Sequence, residues 1–91
     1  MKNIPKEEKR KIINRLKRAE GQIRGIERLI EDDASLEKIV VQMRAVKSAL
    51  SAVGWTLFDY EMSIDKNSDV SPDSQVDQIK KTISQLTKLC H

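Results

Sequence analysis

From Ser35 to Asp65 the chain offers a helix of about thirty residues that is apolar on more than one side. Ile39, Met43, Val46, Leu50, Val53 and Leu57 recur at steps of 4, 3, 4, 3 and 4 and make one stripe. Val41, Ala45, Ala49, Ala52 and Phe58 add apolar surface elsewhere around the same helix. Such a helix must be covered on several sides, since each exposed methylene forgoes about 0.8 kcal/mol of burial. This requirement constrains the fold more than any other feature, because the rest of the chain has only two further helices to offer.

The first of these runs from about Pro5, placed at a helix start, to about Glu31. Ile12, Leu16, Ala19, Ile23, Ile26 and Ile30 form its heptad-like seam, and "EDDAS" ends it, leaving Ser35 to cap the second helix. "KNSDVSPDS" breaks the pattern again, with Ser71 and Pro72 at a new start, and a third helix to about Cys90 carries Val76, Ile79, Ile83, Leu86 and Leu89. Nothing alternates as a strand does. The expectation is a single all-α domain over residues 1–91, with helices at about 5–31, 35–65 and 72–90. A chain of 91 residues buries only a little over half of its unfolded surface. One protomer cannot cover the second helix, so the economical solution is a dimer with an antiparallel four-helix bundle at its centre and the third helix outside. Ala45, Ala49 and Ala52 permit close approach, and Trp55, Tyr60 and the methionines read as core or interface residues.

Charge and cysteine usage narrow the function. Residues 1–30 carry ten Lys or Arg against four Glu, a net +6, while residues 31–91 carry seven against ten Asp or Glu, a net −3. The N-terminal third is therefore the expected face for a polyanion. A single cysteine, Cys90, excludes an internal disulfide and a four-cysteine zinc cluster within one chain. No stretch approaches the roughly 18 apolar residues of a membrane span, and the charged start "MKNIPKEEKRK" lacks the apolar region of a secretion signal. A cytoplasmic protein with no membrane partner is expected. No nucleophile–base pair, phosphate loop or HExxH spacing is present, and the one histidine is His91, so an enzyme or a resident cofactor is not expected.

Lys11, Arg15, Arg18 and Gln22 follow steps of 4, 3 and 4, each one position before a seam residue, and line up about 100° around the helix from the apolar seam. Lys9, Arg10, Lys17 and Arg24 thicken the positive surface. Such a row can track phosphates, although solvated basic faces are common and no recognition-helix or zinc-finger signature accompanies it. Gly21 and Gly25, each costing about 1 kcal/mol relative to alanine in a helix, point to a close approach by another backbone.

At "NRLKRAEGQIRGIERLIEDD" the chain resembles the family of copper-sensing operon repressors (CsoR), which also includes nickel/cobalt sensors (RcnR) and formaldehyde sensors (FrmR). The Arg-Leu-Lys-Arg-x-x-Gly-Gln-x-x-Gly-Ile run carries the resemblance, and "VQMRAVKSALSAVGWTLF" extends it through a Gln-x-x-Ala-Val-x-x-Ala-Leu pattern. The resemblance implies a disc-shaped tetramer, a dimer of dimers, that represses transcription by binding double-stranded operator DNA without a helix-turn-helix. It carries DNA binding over to Arg15, with Lys11, Arg18 and Gln22 as neighbours, and more loosely to Arg44 and Lys47 on the second helix.

The family's sensor positions are a different matter. In the copper sensors a cysteine near the start of the second helix and a His-x-x-x-Cys pair near its end hold Cu(I) between protomers. With Gln42 as the anchor, those places fall on Leu36, Glu61 and Asp65. None is a thiolate or an imidazole, the donors Cu(I) selects, and the nickel and formaldehyde variants also need the missing first cysteine. No metal site is expected and the inducer is left open. Glu61 and Asp65 could join Asp59 in a hard-cation site, but acids at those spacings converge poorly on a helix. The resemblance also suggests a charge-reversed contact, because the third-helix glutamate that supports the copper ligand falls near Lys81, making Glu61–Lys81 a candidate lock. Cys90 and His91 close the sequence, where chain ends fray. The leading expectation is a repressor of this family without a soft-metal site; the alternative is a helical scaffold or interaction protein that kept the fold and lost operator binding.

Overall fold

Three helices form in a computed structural model that describes the backbone of residues 4–65 and 72–90 and the side chains of residues 4–62 and 76–90. They are α1 (Lys6–Glu31), α2 (Leu36–Asp65) and α3 (Pro72–Cys90). The expected start at Ser71 lies outside the described residues.

Local chemistry sets the visible helix ends. Pro5 sits at the N-cap with φ −55° and ψ 147°, one position before the helical residue it was expected to be, and its carbonyl accepts from the Lys9 N–H at 2.9 Å. It has no side chain to cap with, but Glu7 and Glu8 place negative charge at the positive end of the helix dipole. At the other end Asp33 adopts φ 55°, the Asp33 N–H donates to Ile30 O at 3.2 Å and the Ala34 N–H to Leu29 O at 2.9 Å. This is a Schellman closure with aspartate in the left-handed position that glycine usually takes. Ser35 then caps α2, its Oγ accepting from the Lys38 N–H at 3.3 Å.

The short turn makes α1 and α2 antiparallel. Ile12 packs with Val53 and Ile4, flanked by Leu16, Leu57 and Tyr60, while Ala19 lies beside Ala49 and Ala52. On its other side α2 receives α3, again antiparallel: Cys90 meets Trp55, and Thr82 lies near Glu61. Among the described residues α1 and α3 do not pack on each other. The three helices lie side by side in a slab of 55 × 28 × 12 Å, one helix thick. Its radius of gyration is 17.0 Å, against about 12 Å for a compact domain of this length.

A layer one helix thick cannot enclose a core. Among the described residues the buried apolar ones are Ile4, Ile12, Ala19, Val46, Val53 and Leu86, and no side chain is completely enclosed. The apolar stripe on α2 therefore divides. Val46 and Val53 are buried, with Ile39 and Leu57 half-buried, whereas Met43 is 53% exposed and Leu50 also open. The reason is angular: at about 100° per residue, the stripe points between the directions of α1 and α3, toward one broad face of the slab. Leu36 and Val40 are open too, because α3 reaches back only to the level of Ser51 and Trp55. The seam of α1 behaves alike, buried at Ile12 and Ala19 but exposed at Ile23 and Ile30.

Within the protomer the close approach lies at Gly54, outside the pair singled out in the sequence. A Cβ at Gly25 would meet nothing within 4 Å, and one at Gly21 would meet only the Arg24 guanidinium at 3.8 Å. A Cβ at Gly54 would instead lie 2.7 Å from Leu86 Cδ2 and 3.4 Å from Leu89 Cδ2. Within the protomer the backbone that needs room is that of α2, where α3 docks.

Candidate functional site

The basic row of α1 is exposed along its length, at Lys11, Arg15, Arg18 and Gln22. Arg15, Arg18 and Gln22 stand along the α1–α2 groove above the small side chains Ala19, Ala49 and Ala52, which line a depression of about 230 Å3. Ala49 and Ala52 thus serve as a low wall that leaves the cations clear of neighbours. A second depression of about 200 Å3 is lined by Lys11, Asn14, Arg15 and Arg18, so these side chains form one continuous polar surface. Lys11 also pairs with Glu8 at 3.3 Å, an exposed contact worth under about 1 kcal/mol. Asn14 belongs to this surface although its neutral side chain gave no charge signal in the sequence.

Arg44 and Lys47 do not join that row. With Ser48, Ser51 and Cys90 they line a separate cavity of about 420 Å3 at the end of α3. Cys90 is the anchored last residue of α3, in contrast to the fraying expected of it. Its Sγ accepts from the Trp55 indole N–H at 3.3 Å, and Trp55 meets Phe58 edge to face at 5.7 Å and 83°. Hydrogen bonds from Ser51 and Trp55, with the Lys47 charge nearby, hold the thiol below its ordinary pKa against the opposing effect of desolvation. This arrangement connects residues 35 apart and no local pattern announces it. His91 lies outside the described residues.

The three sensor-position residues occupy unlike surroundings. Leu36 is 74% exposed at the first turn of α2. Glu61 is half-buried and lines a cavity of about 270 Å3 between α2 and α3, with Gly54, Leu57, Phe58, Thr82 and Leu86. Asp65 is the last residue of α2, and its side chain lies outside the described ones. Leu36 and Glu61 lie 25 residues apart on one helix, so a single protomer cannot bring them together. Among the described residues no three His, Cys, Asp or Glu side chains converge as metal ligands. Asp59 and Glu61, two apart, diverge by about 200° around α2. Nor does the protomer pair Glu61 with Lys81: Glu61 faces the Thr82 side of α3 and Lys81 is exposed.

Tyr60, next to Glu61, turns the other way and joins the Ile4–Ile12–Val53 cluster. Desolvation, then the charge of Glu8 and a hydrogen bond to its carboxylate, raise the phenol above its ordinary pKa. Glu8 therefore stands between Tyr60 of α2 and Lys11 of the basic row.

The chain matches the model of a family described as metal-sensitive transcriptional repressors over residues 8–90. It is 46% identical over 52 residues to the copper-sensing transcriptional repressor CsoR of Bacillus subtilis, an alignment covering 57% of this chain and 52% of that protein. It is 47% identical over 49 residues to the copper-sensing transcriptional repressor RicR of Mycobacterium tuberculosis, covering 54% of this chain and 51% of that protein. The chain spans about half the length of the curated relatives it matches, and both of those are repressors rather than enzymes. No solved structure matches it. Among the described residues no helix is long and apolar enough to cross a membrane.

Proposed function

The chain belongs to the metal-sensitive transcriptional repressor family, and from that premise we propose that it is a transcriptional repressor that binds double-stranded operator DNA through the basic row of α1. The observation that carries the reading is the exposed, continuous surface of Lys11, Arg15, Arg18 and Gln22 on the rim of the α1–α2 groove. Guanidinium groups there can engage phosphates bidentately, and the amide of Gln22 can donate as well. Arg44 and Lys47 add positive charge on α2 farther from that groove.

The working form is a dimer of dimers. A slab one helix thick, with Met43, Leu50, Ile23 and Ile30 open to solvent, gains most by pairing α1 and α2 with a second copy in a four-helix bundle. Two such dimers then form a disc-shaped tetramer. Assembly also repeats the basic row, so that one DNA segment meets several copies of it.

The sensor positions do not suit a soft metal. An aliphatic side chain at Leu36 and carboxylates at Glu61 and Asp65 offer Cu(I) neither thiolate nor imidazole. No regulatory step is therefore assigned to copper in this chain.

A mobility-shift titration with the DNA adjoining the chain's own gene, at two salt concentrations, tests the reading. Neutralising about six to ten phosphates costs roughly 10³ to 10⁵ in affinity between 50 and 200 mM salt. Absence of binding at low salt, from a protein that is folded and oligomeric, would favour the scaffold instead.

A further inference from the structure

We propose that the cavity between α2 and α3 is a binding site for a small organic ammonium ion with an apolar body. The inference rests on what the cavity can and cannot donate. Among the described residues Gly54, Leu57, Phe58 and Leu86 supply apolar walls, and Glu61 and Thr82 bring the polar side-chain groups. Glu61 is half-buried and its carboxylate has no hydrogen-bond or ion-pair partner among the described residues. Thr82 already commits its hydroxyl proton, donating to Gln78 O at 3.0 Å, so its Oγ1 offers only lone pairs. Both polar groups are thus acceptors, and one carries a full negative charge.

A ligand that satisfies this surface must donate hydrogen bonds and carry positive charge while filling an apolar space. A protonated amine does all three. Phe58 adds a ring, held edge to face against Trp55, that favours a cation over its face. The volume of about 270 Å3 lies below the roughly 300–1,000 Å3 of drug-sized sites, so the ligand is small. Alcohols lack the charge, carboxylates are repelled by Glu61, and a bare metal ion finds one carboxylate among the described residues and leaves the apolar walls unfilled. The glycine at 54 lets Leu86 close one end of the cavity, since a Cβ there would occupy the space of Leu86 Cδ2.

The proposal concerns binding alone and stands apart from the repressor reading. The cavity lies beside the open face of α2, so a side chain from a second copy is the competing occupant. The test is calorimetric titration of the full-length oligomer with n-hexylammonium, n-hexanol and n-hexanoate at constant ionic strength. The ammonium is expected to bind at least about tenfold more tightly than either analogue, as one charge-assisted hydrogen bond implies. Glu61→Gln should remove about that tenfold preference, Thr82→Val should weaken the ammonium less, and exposed Lys81→Ala should leave binding unchanged. Equal binding of hexanol and the ammonium overturns the proposal, as does an undiminished preference in Glu61→Gln. Absence of ammonium binding at millimolar concentration also overturns it, and would point to a second copy filling the cavity. Should Glu61→Gln fail to fold, the three-ligand comparison on the unsubstituted protein still decides.

Discussion

Gly54 lies under Leu86 so closely that an alanine Cβ at position 54 would come within 2.7 Å of the leucine Cδ2. Leu86 is buried and also lines the cavity between α2 and α3, so a side chain at position 54 must push the end of Leu86 into that space or shift α3. Gly54→Val should therefore cost about 1–3 kcal/mol through overpacking, read as a lower urea midpoint. Gly25→Ala meets open space within the protomer and should gain up to about 1 kcal/mol from helix propensity. A loss at Gly25 would instead show another subunit's backbone packed there.

Arg15 is exposed and lines both depressions of the basic surface. Arg15→Ala should weaken operator binding by about 1–3 kcal/mol and lower the salt slope, with helicity and oligomer mass unchanged. Dissociation or unfolding of this variant would make Arg15 a structural residue and remove it from the interface.

The Tyr60 phenol, raised by desolvation and by Glu8, should ionise above the ordinary tyrosine range in an absorbance titration near 295 nm. The folded state holds the proton more tightly than the unfolded one. This contribution is thus fully present below about pH 10, the unfolded value, and is lost as pH rises through the higher folded value. Glu8→Gln should lower the midpoint toward the ordinary range. An unmoved midpoint would mean that Glu8 does not act on the phenol.

Cu(I), Ni(II) and Zn(II) should not occupy the position of Leu36, Glu61 and Asp65 with one tight ion per protomer in competition with a strong chelator. The donor set argues against it. A tight, stoichiometric ion that persists in Cys90→Ser lacking His91 would refute this, since those residues are the other soft donors considered.

Lys81 is exposed and does not pair with Glu61 in the protomer. Lys81→Ala should change stability by less than about 0.5 kcal/mol, measured by thermal or urea unfolding. A larger loss would reveal a Glu61–Lys81 contact made only between subunits.

What the sequence determined by itself are the features that depend on near neighbours. The helical periods of Ile12–Ile30 and Ile39–Leu57, the Ser35 cap and the acidic break before it all act within a few residues, and the three helices follow from them. The basic row of α1 was legible for the same reason, because side chains at steps of 3 and 4 share a face wherever the helix sits. Tertiary structure alone decided which apolar residues are covered. Val46 and Met43 belong to one stripe in the sequence, yet only Val46 is buried, because the side-by-side placement of the helices shields the flank of the stripe nearer α1 and leaves the opposite flank open. The same placement put the tight glycine at Gly54, joined Cys90 to Trp55 and Tyr60 to Glu8, and turned Glu61 toward Thr82. Each of these contacts depends on the rotation and axial offset of one helix against another, which no local spacing specifies.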